Sequence, residues 1–329
     1  MKPFKVLVVQ PILERGMQTL IDADIDIVQP NSLEDETLAE LAADCDGMLV
    51  RTKTIPRKII ERATKLKVIA RSGVGYDNVD LEAAAQRGIY VCNVPQANAN
   101  SVAEQVIGMI IALAHRIIKA DKALRQNRFE VRETFIGSEL KGKTVGLIGF
   151  GSIGQLTAKK CAFGLDMDVV AYDPFLENKN KFDYLTFMDS VESVLKISDF
   201  VSLHLPYSSE LHHFIGEQEI NKMKGGAFLI NCARGGLVDE KALYQAIKNE
   251  RISGAGLDVY EEEPPQKNHY LWELDNVIVT PHMAAHTKEA LEAMAVGAAK
   301  EIIDVFNGKQ PQSCVNKYLL DRKINETIN

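Results

Sequence analysis

Three short segments carry the residue types that acid–base chemistry on a carboxylate needs. Residues 231–239 (NCARGGLVD) hold Arg234, residues 256–265 (GLDVYEEEPP) hold an acidic run ending in Glu263, and residues 280–282 (TPH) end in His282. A guanidinium forks onto a planar carboxylate through two parallel hydrogen bonds. An imidazole takes or gives a proton near neutral pH, and a carboxylate beside it fixes its tautomer. Singly these residues say little. An arginine before two glycines can cap a turn, a lone histidine is usually structural, and an acidic run is usually a solvated face. Their weight comes from a shared position: each segment follows a short apolar run that reads as a strand. Open parallel sheets bind ligands outside the carboxyl ends of their strands.

A second constellation lies upstream. Residues 144–154 (TVGLIGFGSIG) hold G-x-G-x-x-G directly after an apolar strand, with Ser152 and Ile153 opening a helix. Gly149 permits the tight turn, Gly151 lets the backbone approach a pyrophosphate, and Gly154 lets helix and strand pack closely. The helix start then turns free amides and a positive dipole end toward the phosphates. Asp173 ends the next strand, nineteen residues past Gly154, close to the spacing of about 20 expected of an acid that binds the adenosine ribose. A carboxylate there accepts from ribose hydroxyls and repels a 2′-phosphate, so the expected cofactor is NAD rather than NADP.

These residues require a frame. Strand patterns at 144–149, 168–172, 200–203, 227–231, 254–258 and 277–280, mostly with helical patterns between them, predict a doubly wound dinucleotide fold. The N-terminal part alternates likewise, with strands at 6–9, 47–50, 67–70 and 90–92 and helices at 33–43, 56–63 and 81–87, which predicts a second parallel sheet. A long helix is expected from about Ser101 to Arg125, and another over 288–307, with the last twenty residues polar and loosely ended. The fold class is therefore α/β, two doubly wound parallel-sheet domains. The expected boundaries are 1–100 plus 288–329 for an outer, flavodoxin-like, substrate-binding domain and 101–287 for a Rossmann-type NAD domain.

Composition narrows the partners. Of 329 residues, 46% are hydrophobic, and 38 basic residues face 45 acidic ones for a formal charge of −7. That balance argues against general binding to nucleic acid or to an anionic membrane. Cys45, Cys92, Cys161, Cys232 and Cys314 are odd in number and form no C-x-x-C pair, so no metal site and no disulfide framework is expected. No stretch approaches the roughly 20 apolar residues of a spanning helix, and residues 1–10 do not read as a signal peptide. The expected location is cytoplasmic.

With residues 71–80 (RSGVGYDNVD) and 98–104 (NANSVAE) added to these motifs, the chain resembles the D-isomer-specific 2-hydroxyacid dehydrogenases, the group that includes the 3-phosphoglycerate dehydrogenases. The resemblance runs over nearly the whole length. It implies NAD-dependent interconversion of a 2-hydroxy acid and its 2-oxo acid in a cleft between two domains, and a homodimer formed through the helix that starts near Ser101. It assigns His282 as proton donor and acceptor, Glu263 as its partner and Arg234 as carboxylate clamp, with amides of Ser72, Gly73 and Val74 completing the cradle. Asp258 matches the residue that holds the nicotinamide carboxamide. His204, Leu205, Pro206, Cys232, Ala233, Val74, His282 and Ala284 match positions lining the cofactor. His212, His213 and His269 read as surface residues.

Two features depart from the family or leave its substrate open. After His282 stand Met283, Ala284 and Ala285 where small glycine-containing pairs are usual. Arg51, Lys53 and Arg71 fall at strand ends of the outer domain and suit an anionic substrate tail. Phosphohydroxypyruvate, paired with 3-phosphoglycerate, is the leading expectation, with hydroxypyruvate, glyoxylate and bulkier 2-oxo acids as alternatives. No segment corresponds to the C-terminal regulatory domain of longer phosphoglycerate dehydrogenases, so serine feedback through one is not expected. An NAD(H)-responsive co-repressor of the same fold is the reading of a different class, and the acidic charge favours the enzyme. A formate dehydrogenase or hydrolase suits the Arg-Glu-His set less well.

Overall fold

The structure, a computed structural model, describes residues 3–328. The chain divides into two compact units, one made of residues up to 98 together with those from 286 onward, the other of residues 99–285.

The first unit opens with β1 (Lys5–Val8), α1 (Glu14–Ile21), β2 (Asp26–Val28), α2 (Asp35–Ala42), β3 (Gly47–Val50), α3 (Arg57–Arg62), β4 (Val68–Arg71), α4 (Leu81–Gln86) and β5 (Tyr90–Cys92). All strands are parallel in the order β2-β1-β3-β4-β5. Successive side chains of β1 point to opposite faces. Leu7 therefore joins Leu38, Ile59 and Ile60 in one buried layer, while Val6 and Val8 join Leu20 and, from the chain's return, Ala298, Ala299 and Ile302 in another. Helices on both faces make the strands apolar throughout, which explains why they read as continuous hydrophobic runs.

The second unit runs α5 (Ala99–Ala114), α6 (Ile117–Arg125), β6 (Thr144–Ile148), α7 (Ser152–Leu165), β7 (Asp168–Tyr172), β8 (Thr186–Phe187), α8 (Val191–Ile197), β9 (Phe200–Leu203), α9 (Glu217–Lys222), β10 (Phe228–Asn231), α10 (Glu240–Lys248), β11 (Gly254–Leu257) and β12 (Val277–Val279). Its parallel sheet has the order β12-β11-β10-β9-β6-β7-β8, with the strand order reversing between β6 and β9. The register levels the strand ends: Ile148 pairs Leu203, Leu203 pairs Asn231, Asn231 pairs Leu257 and Leu257 pairs Val279. The loops that begin at residues 149, 204, 232, 258 and 280 thus leave the sheet at one height. The chain then returns to the first unit as α11 (Lys288–Phe306) and α12 (Lys317–Ile328).

Some expectations need correction. The single helix expected to 125 is two, bent by 62°, because Arg116 adopts a left-handed φ of 56°. α5 packs Val106, Met109, Ile110 and Leu113 into the core, and the polar pair His115 and Arg116 cannot follow. Residues 317–328 are not loose but form α12. The elements α1, β2 and β8 were not expected: β2 and β8, of three and two residues, are too short for a period to show, whereas α1 does carry Met17, Leu20 and Ile21 at helical spacing. Among the described residues, no single helix is long and apolar enough to cross a membrane.

Candidate active site

The loop after β6 shows three different reasons for its glycines. Gly149 has φ 92°, and a Cβ there would lie 2.4 Å from the His204 carbonyl oxygen, at the end of β9. A Cβ on Gly154 would lie 2.7 Å from the Gly149 carbonyl, so α7 meets the turn at backbone distance. Gly151 opens onto free space, where a bulky anion can meet the first amides of α7. Ser152 is exposed and Ile153 half-buried beside it. Asp173 braces the turn: Phe150 N–H donates to its Oδ2 at 2.8 Å and Phe175 N–H to its Oδ1 at 2.9 Å. Each oxygen keeps a further lone pair for a hydroxyl.

His204 N–H donates to Ile148 C=O at 2.8 Å. Its Nε2 is enclosed without a hydrogen-bond partner among the described residues. Burial lowers its pKa to about 4, so the ring is neutral near pH 7. Leu205 packs on the core and Pro206 is exposed. An open glycine turn at a helix start, a ribose-type acid and an enclosed, unpartnered ring nitrogen beside them form a site that NAD fits.

The loops after β11 and β12 bring two of the expected catalytic residues together. His282 Nδ1 lies 2.7 Å from Glu263 Oε2. Tyr260 N–H donates to Glu263 Oε1 at 3.1 Å. Burial pushes the Glu263 carboxyl up, but the hydrogen bond and charge of His282, the Tyr260 amide and the Arg234 guanidinium hold it below its ordinary value. Both side chains remain partly open, at 46% and 37% exposure, so solvent or a ligand reaches the pair.

His282 has a φ of 48°, and non-glycine residues occupy that region only when held there. Asp258 supplies the hold. Wholly buried, it accepts at Oδ1 from Thr280 Oγ1 (2.6 Å) and Met283 N–H (2.8 Å), and at Oδ2 from Ala284 N–H (2.8 Å). Its carbonyl accepts from His282 N–H at 2.8 Å. Ser101 of α5 donates to the Ala284 carbonyl at 2.6 Å, and Tyr260 Oη donates to the Thr280 carbonyl at 2.8 Å. Three donors already engage the Asp258 carboxylate expected at the nicotinamide carboxamide.

Arg234 follows Asn231, whose Nδ2 donates to the Arg234 carbonyl at 2.8 Å and whose Oδ1 accepts from Ala233 N–H at 3.0 Å. Arg234 Nη1 reaches the Ala233 carbonyl at 2.7 Å. Cys232 is buried with its Sγ 3.7 Å from Met109 Sδ, and burial pushes its thiol up.

In the first unit, the loop after β4 is tied down. Ser72 N–H pairs with the Val50 carbonyl at 2.8 Å and Gly73 N–H closes on the Arg71 carbonyl at 2.9 Å. Asn93 Nδ2 donates to the Val74 carbonyl at 2.7 Å. The Ser72 amide expected in the carboxylate cradle is thus spent in the sheet. The Arg71 guanidinium lies directly against Gly73, where a Cβ would overlap it. Arg51 Nη1 donates to the Pro11 carbonyl at 2.9 Å and Lys53 pairs with Asp35 at 2.7 Å. Among the described residues, no group of three His, Cys, Asp or Glu side chains is placed to hold a metal.

One expectation about histidines is overturned. His269 is not a surface residue: its side chain is 10% exposed and its Nε2 lies 2.9 Å from Glu240 Oε2. Thr280 and Tyr260 lie inside the quoted segments but, like Glu240, had no role expected of them, because each acts across 20 or more residues of sequence.

Residues 107–284 match the family model described as D-isomer specific 2-hydroxyacid dehydrogenase, NAD binding domain. The chain is 42% identical over 315 residues to a D-3-phosphoglycerate dehydrogenase of Methanocaldococcus jannaschii, covering 95% of this chain but 59% of that protein. It is 40% identical over 334 residues to a glyoxylate reductase of Thermococcus litoralis, covering 97% and 98% respectively. In structure it is similar to an NADPH-dependent glyoxylate/hydroxypyruvate reductase of Sinorhizobium meliloti, solved with NADP and malonate. That likeness has a TM-score of 0.85 at 28% identity, over 96% of this chain and 97% of the other.

Proposed function

This chain belongs to the D-isomer specific 2-hydroxyacid dehydrogenase family, and on that premise we propose that it is an NAD-dependent oxidoreductase interconverting a small D-2-hydroxy acid and its 2-oxo acid. The observation that carries the reading is the His282–Glu263 pair at 2.7 Å, set on the same sheet end as the glycine turn. The glycine turn and Asp173 would hold NADH, which when bound would provide the hydride for the substrate C2. His282 holds the proton that the substrate oxygen takes up: Nδ1 is committed to Glu263, which leaves Nε2 to face the substrate. Glu263 stays ionised and fixes that orientation. Arg234 takes the substrate carboxylate as a fork; in the first unit the Ser72 and Gly73 amides are spent on backbone carbonyls, which leaves the Val74 amide as the donor the loop at Ser72, Gly73 and Val74 offers a carboxylate. Asp173 supports NAD over NADP. Cys232, Ala233, Leu205, Pro206 and Ala284 line the cofactor as apolar or small wall, and Asp258 holds the catalytic loop as well as the carboxamide.

For the substrate tail, Arg71 against Gly73 and Arg51 just past the end of the neighbouring β3 favour an anionic group, with phosphohydroxypyruvate first. Hydroxypyruvate and glyoxylate form the second reading, favoured by relatives of matching length that are named glyoxylate reductase and hydroxypyruvate reductase. The acting form is a homodimer, supported by the exposed apolar side chains Ile117, Ile118, Leu124, Phe129 and Ile136 that follow α5. The test is NADH and NADPH consumption with phosphohydroxypyruvate, hydroxypyruvate, glyoxylate, pyruvate, oxaloacetate and sulfopyruvate. His282→Ala is expected to lower kcat by roughly 10²–10⁴-fold and Glu263→Gln by a smaller factor. NADH binding with no turnover of any acid would overturn the enzyme reading in favour of a cofactor-responsive binding protein.

A further inference from the structure

Residues 261–263 offer three consecutive carboxylates, yet Glu263 alone of the three pairs with His282. The other two are accounted for differently. Glu262 faces outward near Gln266. Glu261 is captured from the opposite side by Glu240, the first residue of α10. The capture is reciprocal: Glu240 N–H donates to Glu261 Oε1 at 2.9 Å, and Glu261 N–H donates to Glu240 Oε1 at 2.9 Å. His213 Nε2 stands 3.2 Å from the same Glu261 oxygen.

Glu240 is itself held. Its side chain is 6% exposed and its Oε2 lies 2.9 Å from His269 Nε2. Leu271 N–H points at His269 Nδ1 at 3.4 Å, which makes Nε2 the donor to Glu240. His269 is wedged between the rings of Tyr270 and Trp272. Asp239 caps α10 through the amides of Lys241 and Ala242, so the carboxylate of Glu240 also sits at a helix start that favours its charge.

The peptide that Glu240 grips is the one on which the Arg234 loop rests. A Cβ on Gly235 would fall 1.8 Å from the Tyr260 carbonyl oxygen and 2.6 Å from Glu261 N. The backbone after Arg234 and the backbone before Glu263 therefore lie in direct contact, and the Glu240–Glu261 bonds hold that contact from behind.

We propose that Glu240, steadied by His269, is a positioning residue: by capturing Glu261 it sets the 261–263 turn so that Glu263, and not its neighbours, reaches His282, while keeping the Arg234 loop seated. The inference rests on the reading of Glu263 as the partner of His282. Removing the Glu240 carboxylate releases the Glu261 amide while the Glu240 N–H still holds the Glu261 side chain, so the backbone of the turn can slide, and a misplacement of about 1 Å near reacting groups can cost roughly 100-fold in rate.

The test compares Glu240→Ala, Glu240→Gln, Glu263→Gln and the double variant Glu240→Ala/Glu263→Gln, with glyoxylate and hydroxypyruvate as substrates and NADH binding followed by fluorescence. Glu240→Ala is expected to lose about 10- to 100-fold in kcat, with NADH affinity unchanged. Glu240→Gln keeps an acceptor for the Glu261 amide and is expected to recover most of the loss. The pH–kcat profile of Glu240→Ala should move in the direction of that of Glu263→Gln. The double variant should be no worse than Glu263→Gln alone to within about twofold, the mark of residues acting as one unit. Should Glu240→Ala fail to fold, His269→Ala carries the same test with a smaller loss. Full activity of Glu240→Ala beside an impaired Glu263→Gln, or fully multiplicative losses in the double variant, would overturn the inference alone. An unimpaired Glu263→Gln would overturn the acid–base reading, and this inference with it.

Discussion

At the residue scale, the site depends on charge placed where it cannot be neutralised by relaxation. Asp173 is held by the Phe150 and Phe175 amides, so it cannot swing away from a 2′-phosphate. Asp173→Asn preserves the shape and removes the repulsion. The expected outcome is a narrowing of the NADH over NADPH preference by about tenfold, some 1.4 kcal/mol, measured as the ratio of kcat/KM values. An unchanged ratio would place the discrimination elsewhere. Arg234, Glu263, His282 and the glycines were legible because each lies in a short local pattern at a strand end. Glu240 and His269 were not, because they are 29 residues apart and meet only once α10 and the 260–273 loop have packed. A buried acid and a buried histidine look in sequence like any surface pair.

At the element scale, the strand–turn–helix of β6 and α7 separates two glycine roles that the motif presents alike. A methyl group on Gly154 would press on the Gly149 carbonyl at 2.7 Å, whereas one on Gly151 meets nothing. Gly154→Ala is expected to destabilise the fold by about 1–3 kcal/mol through overpacking. Gly151→Ala is expected to leave stability within about 0.5 kcal/mol and to weaken NADH binding. Chemical denaturation and NADH titration of the two variants check this. Loss of stability in Gly151→Ala would contradict it. The bend at Arg116 belongs to this scale as well. His115 and Arg116 end the apolar run in sequence, but a helical pattern resumes through 117–125, so only the burial of α5 shows that the helix stops there and the next turns away.

At the scale of the whole molecule, stability should depend on pH through His204. Burial lowers its pKa from 6.5 to about 4. The folded state therefore binds a proton less readily than the unfolded state. Above about pH 6.5 both states are neutral there and the residue contributes nothing. As pH falls from 6.5 toward 4 the unfolded chain takes up a proton that the folded chain refuses, and stability declines. A shift of this size corresponds to roughly 3 kcal/mol. Urea unfolding at pH 7 and pH 4.5 should show a larger loss for the natural protein than for His204→Gln, which carries no titrating group. Equal losses would assign the acid sensitivity to other groups.

Readable from the residues alone are the alternation of strands and helices, the dinucleotide turn and the side chains proposed to react. These are local or periodic features: a strand buried on both faces must be apolar throughout, and a phosphate-binding turn must have glycine where backbone approaches backbone. Tertiary structure alone showed what holds Glu263 against His282, what holds His282 in a left-handed conformation, and how sharply the chain turns after α5. The first two are held by groups far apart in the chain, Asp258 with Ala284, Glu240 with Glu261 and His269, whose pairing follows from the level ends of β10, β11 and β12. A one-dimensional pattern holds no record of that register.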